Sequence, residues 1–356
     1  MLFSPDLVGV LSPTQARYDF DHTVLINGTA NLEISLLMEA LDAQGILSAG
    51  NVVAALGEWH WPASLHRRPN VREFKDLLCI QGSDILGVYP VLKYLVRTRV
   101  DSDRVRLQKR SFLAMCRFLD GYSLVQRGQA PQQWSIKASF WLECFKEAYD
   151  RRPLPKHHFM FHFEEYMAED KMLPGGFPTE RRHKLYKGYG DAQYQQRNFE
   201  RSVVLGMLGQ HVREIETEGW GERGNILYKS WKADDVARAL GVSSARAAKL
   251  ASSGGTRTGT HDMVFVDVLG AGTTVAQVLL HVHTMPALSG CDTGFCTLVQ
   301  LWRQVAADAW TRTDDQILVS LGSIVAAATW KGSATERIVI APPIISGMRE
   351  ASREHH

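Results

Sequence analysis

Two carboxylates and an imidazole stand together in the run Tyr18-Asp19-Phe20-Asp21-His22. In an extended strand alternate side chains share a face, so Asp19 and Asp21 would point to one site and His22 to the other side, where it can orient a neighbour. Carboxylates at a strand end are hard-oxygen ligands for Mg²⁺, and solvated or capping acids are the plain alternative. Downstream, Lys156 opens the run Lys156-His157-His158-Phe159-Met160-Phe161-His162. His158 and His162 lie one helical turn apart, a spacing that can ligate a metal or simply place two histidines in a core. No Glu follows the first histidine, which argues against a zinc protease. Thr179 is a natural N-cap for Glu180, whose carboxylate suits a helix first turn and can complete a metal site built from strand aspartates. Arg181, Arg182, Lys184 and Lys187 follow and can hold phosphates, or else form an exposed charged turn. A second basic group, Lys93, Arg97, Arg99, Arg104, Arg106, Lys109 and Arg110, is set against Asp101 and Asp103. Clustered cations of this kind supply the salt-dependent part of nucleic-acid affinity. His281-x-His283 with Cys291 and Cys296 are legal zinc ligands at spacings that match no compact ribbon or finger.

The elements that must position these groups are read from periodicity. Residues 17–26 carry β-branched and aromatic side chains and stop at Asn27-Gly28, which predicts a short strand and a turn. Helical spacing of apolar residues then recurs over 30–47, 83–98, 104–125, 133–149 and 156–168, with Pro90 as a kink or a first-turn residue in the second of these. A helix restarts at Thr179, and another spans 192–214. Beyond the turn-rich stretch 252–260, short β-type runs appear at 263–268, 274–282, 295–302, 317–319 and 337–340. The expected fold class is α+β: a mostly helical body with one short strand, followed by a small antiparallel β-rich domain. The expected divisions are 1–215 for the body, 216–260 for a linker with short helices, 261–345 for the β-rich domain and 346–356 for a disordered tail.

Composition bounds the function classes. The chain has 356 residues, 45% of them hydrophobic, and a formal net charge of only +2, so any nucleic-acid surface has to be local. Its 5 cysteines never form C-x-x-C, which suits reduced thiols in a nucleus or cytosol rather than a secreted disulfide framework. The segment MLFSPDLVGV carries no basic region ahead of an apolar run, and no stretch approaches the ~18 uninterrupted apolar residues of a membrane span. The expectation is a nuclear or cytoplasmic protein, not secreted and not membrane-bound, with no small-molecule substrate.

Taken in order, the segments resemble a family. Tyr18-Asp19-Phe20-Asp21-His22 through Asn27-Gly28, then Asn31 and Glu33, is similar to the D-x-M-H strand and following helix of CACTA-type and Kyakuja–Dileera–Zisupton-type transposases. Residues 156–162 resemble the K-x-H-x-x-x-H segment of related mobile-element proteins, and 180–184 resemble the E-R-x-H-K that follows it. The resemblance covers most of 17–190 and implies a truncated RNase H-like core. It makes Asp19 and Glu180 the catalytic, metal-holding pair for Mg²⁺ or Mn²⁺, with Asp21, His22, Lys156, His158 and His162 in support. DNA is the implied partner. Two departures stand out. Asp21 replaces the family's methionine, and only 18 residues precede Asp19, leaving no room for the strands that carry the family's first aspartate. The expectation is a transposase remnant with little or no strand-transfer activity that retains DNA binding; the alternative is a non-enzymatic nucleic-acid or chromatin module.

Overall fold

The computed structural model describes residues 17–65, 67–74, 77–125, 131–170, 224–254, 256–268, 272–291 and 293–342, with 173, 205, 208, 209 and 345 as isolated positions. The fold is α+β, a helical body joined to antiparallel sheets.

In the body, α1 (Thr29–Ala43), α2 (Ala49–Gly57), α3 (Gly82–Arg99), α4 (Arg106–Val125) and α5 (Trp134–Ala148) follow the apolar spacing of the sequence. Two short helices, α6 (Pro155–Phe159) and α7 (Phe163–Asp170), flank a single tight turn at Met160–His162. A hairpin of β1 (Val71–Phe74) and β2 (Leu77–Ile80) sits between α2 and α3. The interior is aromatic: Phe20, Phe112, Phe118, Trp134, Trp141, Phe145 and Phe163 are all sealed from solvent. Helix α3 starts at Gly82, so Pro90 stands in its interior. By length and apolar composition alone the stretch Asp21–Ala43 could cross a membrane, a test that buried core helices also pass. Burial of Ile34, Leu37, Met38 and Leu41 against the other helices accounts for that apolarity.

The strand expected over 17–26 is instead helical. Asp21–Leu25 form one wide turn, closed by the Ile26 N–H donating to the Asp21 carbonyl at 2.7 Å. Phe20, Val24 and Leu25 are fully buried, and Phe20 stacks on Tyr122 with ring centroids 3.9 Å apart. That packing outweighs the β preference of Thr23, Val24 and Ile26.

The next described strands lie inside the stretch expected to be linker: β3 (Ile226–Tyr228), β4 (Trp231–Lys232), β5 (Ser244–Ala248), β6 (Leu250–Ser253) and β7 (Thr256–Gly259), with α8 (Asp234–Leu240) among them. The larger sheet adds β8 (Met263–Val268), β9 (Gly272–Met285), β10 (Phe295–Gln304), β11 (Ala309–Ser320), β12 (Ile324–Gly332) and β13 (Glu336–Ile340). These last six pair antiparallel in the cyclic order β8-β9-β10-β11-β13-β12 and back to β8, which closes a barrel. One apolar cluster draws Met263, Phe265, Val275, Trp302, Trp310, Ala328, Trp330 and Val339 from all six strands, as the enclosed face of a barrel must. The opposite face carries Val264, Val266, Val278, Val299 and Val319 and is joined by Ala251 and Leu227 of the three-stranded β3-β6-β7 sheet.

Candidate functional site

The Asp19 region is built as a capped turn. One Asp19 carboxylate oxygen accepts the Asp21 N–H at 2.8 Å, and the other meets Nδ1 of His22. The Asp19 carbonyl accepts the Thr23 N–H at 3.0 Å. Asp21, expected beside Asp19 on one strand face, is buried within the turn, whereas Asp19 keeps part of its surface in solvent. The two carboxylates therefore do not form the shared oxygen-ligand face that an extended strand would give.

Lys156 reaches this turn from α6, donating to the carbonyls of His22 at 2.7 Å and Asn27 at 2.9 Å. It satisfies carbonyls that the end of the turn leaves open. His158 and His162 do face each other, with ring centroids 5.2 Å apart. His162 lies against Tyr166 and 5.7 Å from Tyr18, which itself stacks on Phe159 at 3.8 Å. Arg17 completes the patch over the Tyr166 ring, paired with Glu169 at 2.6 Å and Asp170 at 2.9 Å. The sequence motifs at 18–22 and 156–162 are thus brought into one neighbourhood, held by ring stacking and carbonyl capping. Among the described residues no group of three or more His, Cys, Asp or Glu could hold a metal ion such as Mg²⁺ or Mn²⁺. Glu180, Arg181, Arg182, Lys184 and Lys187 lie outside the described residues.

The basic segment divides in two. Lys109 turns inward and donates to the Val100 carbonyl at 2.5 Å, and Arg110 pairs with Glu147 at 2.8 Å while lying over the Phe140 ring. Arg97, Arg99, Arg104 and Arg106 are exposed and make no ion pair among the described residues. They bracket the α3–α4 connection, which buried Val100 and Val105 pin in place and Ser102 caps through the Arg104 N–H. Arg97 and Arg99 occupy the last turn of α3, where cations also suit the helix dipole.

Among the described residues the histidine–cysteine group of the barrel does not gather into a cluster that could hold a metal ion. His281 is buried, its Nε2 donating to the Thr258 carbonyl at 3.1 Å and its Nδ1 accepting from the Thr297 hydroxyl at 2.9 Å. Burial pushes its pKa down to about 4 and keeps it neutral. His283 stacks on Phe295 instead. Cys291 and Cys296 are buried neighbouring thiols, and desolvation followed by that contact raises the pKa of Cys296.

Two groups escaped sequence reasoning about chemistry. Glu33 is fully buried in the body, accepting from Ser111 Oγ at 2.9 Å, Trp141 Nε1 at 3.0 Å and Tyr149 OH at 3.0 Å. Desolvation raises its pKa to about 7 against the pull of those three donors. Its place one turn from Ala30 and Leu37, on the buried face of α1, was the available signal. The other is Arg337, an arginine enclosed by the barrel with nothing in its local sequence to mark it.

No family model, no curated protein and no solved structure matches this chain.

Proposed function

We propose that this chain binds DNA through its phosphates without cutting it, as a remnant of the mobile-element transposases its sequence resembles. The observation that carries this reading is the set of four exposed arginines, Arg97, Arg99, Arg104 and Arg106, which make no ion pair among the described residues and bracket one helix junction. Exposed cations of this kind can replace the counterions condensed on a polyanion, and release of those counterions favours binding, although Asp101 and Asp103 lie in the same connection. Asp19 supports the non-cutting half of the reading, because its carboxylate serves its own turn and His22. The truncated RNase H-like origin belongs to the same reading and rests on the sequence resemblance. Divalent ions have no required part in this binding.

The test is duplex binding by fluorescence anisotropy across a salt series. If all four arginines meet phosphates, log K should fall against log[salt] with a slope of about −3.6, and Arg104→Gln should flatten it by about 0.9. Absence of binding at about 50 mM salt would overturn the proposal. Nicking that requires Mg²⁺ and disappears in Asp19→Ala would overturn the non-cutting half.

A further inference from the structure

Arg337 of β13 is only 8% exposed, yet no carboxylate meets it among the described residues. Its guanidinium lies between two indoles, 4.5 Å from the Trp302 ring centroid and 3.7 Å from that of Trp330. Nε donates to the Ser333 carbonyl at 3.2 Å, and Nη1 faces the Met263 thioether sulfur at 3.0 Å, a weak acceptor. Nη2 has no partner among the described residues and is not among the atoms sealed from solvent. Cation–π contacts offset part of the cost of burying this charge, but they neutralise none of it.

A second guanidinium stands beside the first. In the β10–β11 register Trp302 is opposite Arg312, and in the β11–β13 register Trp310 is opposite Arg337. Arg312 is exposed; among the described residues its one side-chain bond is a 3.4 Å contact to Gln300 Oε1, and its backbone N–H ties to the Thr335 carbonyl of the β12–β13 turn. Independently, Trp302 Nε1, a donor with no acceptor capacity, is buried without a partner. Burial and then the Arg312 charge lower the Arg337 pKa to about 10, which leaves it cationic at neutral pH. Two like charges and an orphaned donor gather where, among the described residues, no anion meets them.

We propose that this end of the barrel is a binding site for an oxyanion, a carboxylate or phosphate group held between Arg337 and Arg312 with the indoles of Trp302 and Trp330 as its walls. The planar guanidinium fork suits either group in bidentate fashion, so the shared chemistry is the oxyanion.

The experiment titrates the full chain with inorganic phosphate and, separately, with acetate at constant ionic strength in chloride, read by tryptophan fluorescence and calorimetry. Saturable binding of at least one anion is expected, weakened about tenfold or more in Arg312→Gln and abolished in Arg337→Met. Arg312 is exposed, so its variant carries the test even where Arg337→Met fails to fold; circular dichroism checks both. A response to phosphate alone assigns a phosphate-bearing ligand, and a response to acetate assigns a carboxylate. No saturable signal beyond the chloride control overturns the site. So does a response that survives Arg312→Gln, since it belongs to another surface.

Discussion

Glu33 is a carboxyl group with three donors and, among the described residues, no cation, and its environment makes a pH signature. Its pKa in the folded chain, about 7, lies above the ordinary 4.5. Between those values the native state keeps a proton that the unfolded chain has released. The stability this contributes is complete below pH 4.5 and is lost as pH rises through 7. The size is about 3 kcal/mol over the whole window. His157 and His281 act in the opposite sense. Burial lowers each to about 4 from 6.5, so their contribution is complete above pH 6.5 and is lost as pH falls towards 4. The native protein should therefore show opposing trends on the acid side, and a difference measurement separates them. Glu33→Gln does not titrate. The stability gap between wild type and this variant, from urea unfolding, should shrink by up to about 3 kcal/mol from pH 4.5 to 8. A gap independent of pH would show that Glu33 has an ordinary pKa. The same buried histidine predicts that His281→Gln flattens the loss of stability on acidification from pH 6.5 to 4, with the unfolding midpoint as readout.

At the scale of elements, the turn Asp21–Leu25 and its exit decide where the Asp19 region sits. Asn27 adopts a left-handed conformation with φ 48°, and Gly28 follows at the very start of α1. A Cβ on Gly28 would stand 2.3 Å from the Val24 carbonyl carbon and 2.5 Å from its oxygen, both backbone atoms. Gly28→Ala should consequently cost about 2–3 kcal/mol by overpacking, measured as a fall in thermal midpoint, and should loosen the Lys156 cap at the same time. The Asn27-Gly28 break and helices α1, α3, α4 and α5 were legible because their signals are local: turn chemistry and apolar residues at helical spacing. The turn before them was not, since Thr23, Val24 and Ile26 favour strand and it takes the distant Tyr122, Trp134 and Phe163 to make Phe20 a core residue. Strand β12 was hidden for a different reason. Its centre, Ala326-Ala327-Ala328, has no polar–apolar alternation, because both faces of the sheet are covered there. The candidate site was legible as residue types and not as geometry. His158 met His162 as their spacing suggested, but His22, expected on the far side of a strand, met Asp19 because the chain turns there, and the partners of Glu33 lie 78, 108 and 116 residues away. No periodicity encodes separations of that length.

At the scale of the molecule, the helical body and the barrel share their interior rather than merely touching. Ile340 of β13 belongs to the same apolar cluster as the helices, with Ile338 packed beside it, while Arg337 and Val339 turn to the enclosed face of the barrel. One short strand thus serves two cores through the alternation of its side chains. Polar ties run alongside. His60 and Trp330 exchange both backbone hydrogen bonds, at 2.7 and 3.1 Å, and their rings stack at 4.1 Å. The Asp262 carboxylate accepts from the Ala63 N–H at 3.1 Å as well as from Gly259 in its own loop at 2.8 Å. Lys331 pairs with Glu58 at 3.3 Å and lies over the Trp59 ring. Such an interface should make the two parts unfold as one unit, even though each has a core of its own. Hydrogen exchange read by mass spectrometry would then give peptides from the α4 interior, such as Phe112–Leu119, and from β10, such as Cys296–Trp302, a common opening free energy. Ile340→Asp places an unpaired carboxylate in the shared interior and should separate them, leaving one region protected while the other exchanges freely. If wild-type peptides from α4 and β10 already exchange with opening energies several kcal/mol apart, the parts fold independently and Ile340 is only a contact between neighbours.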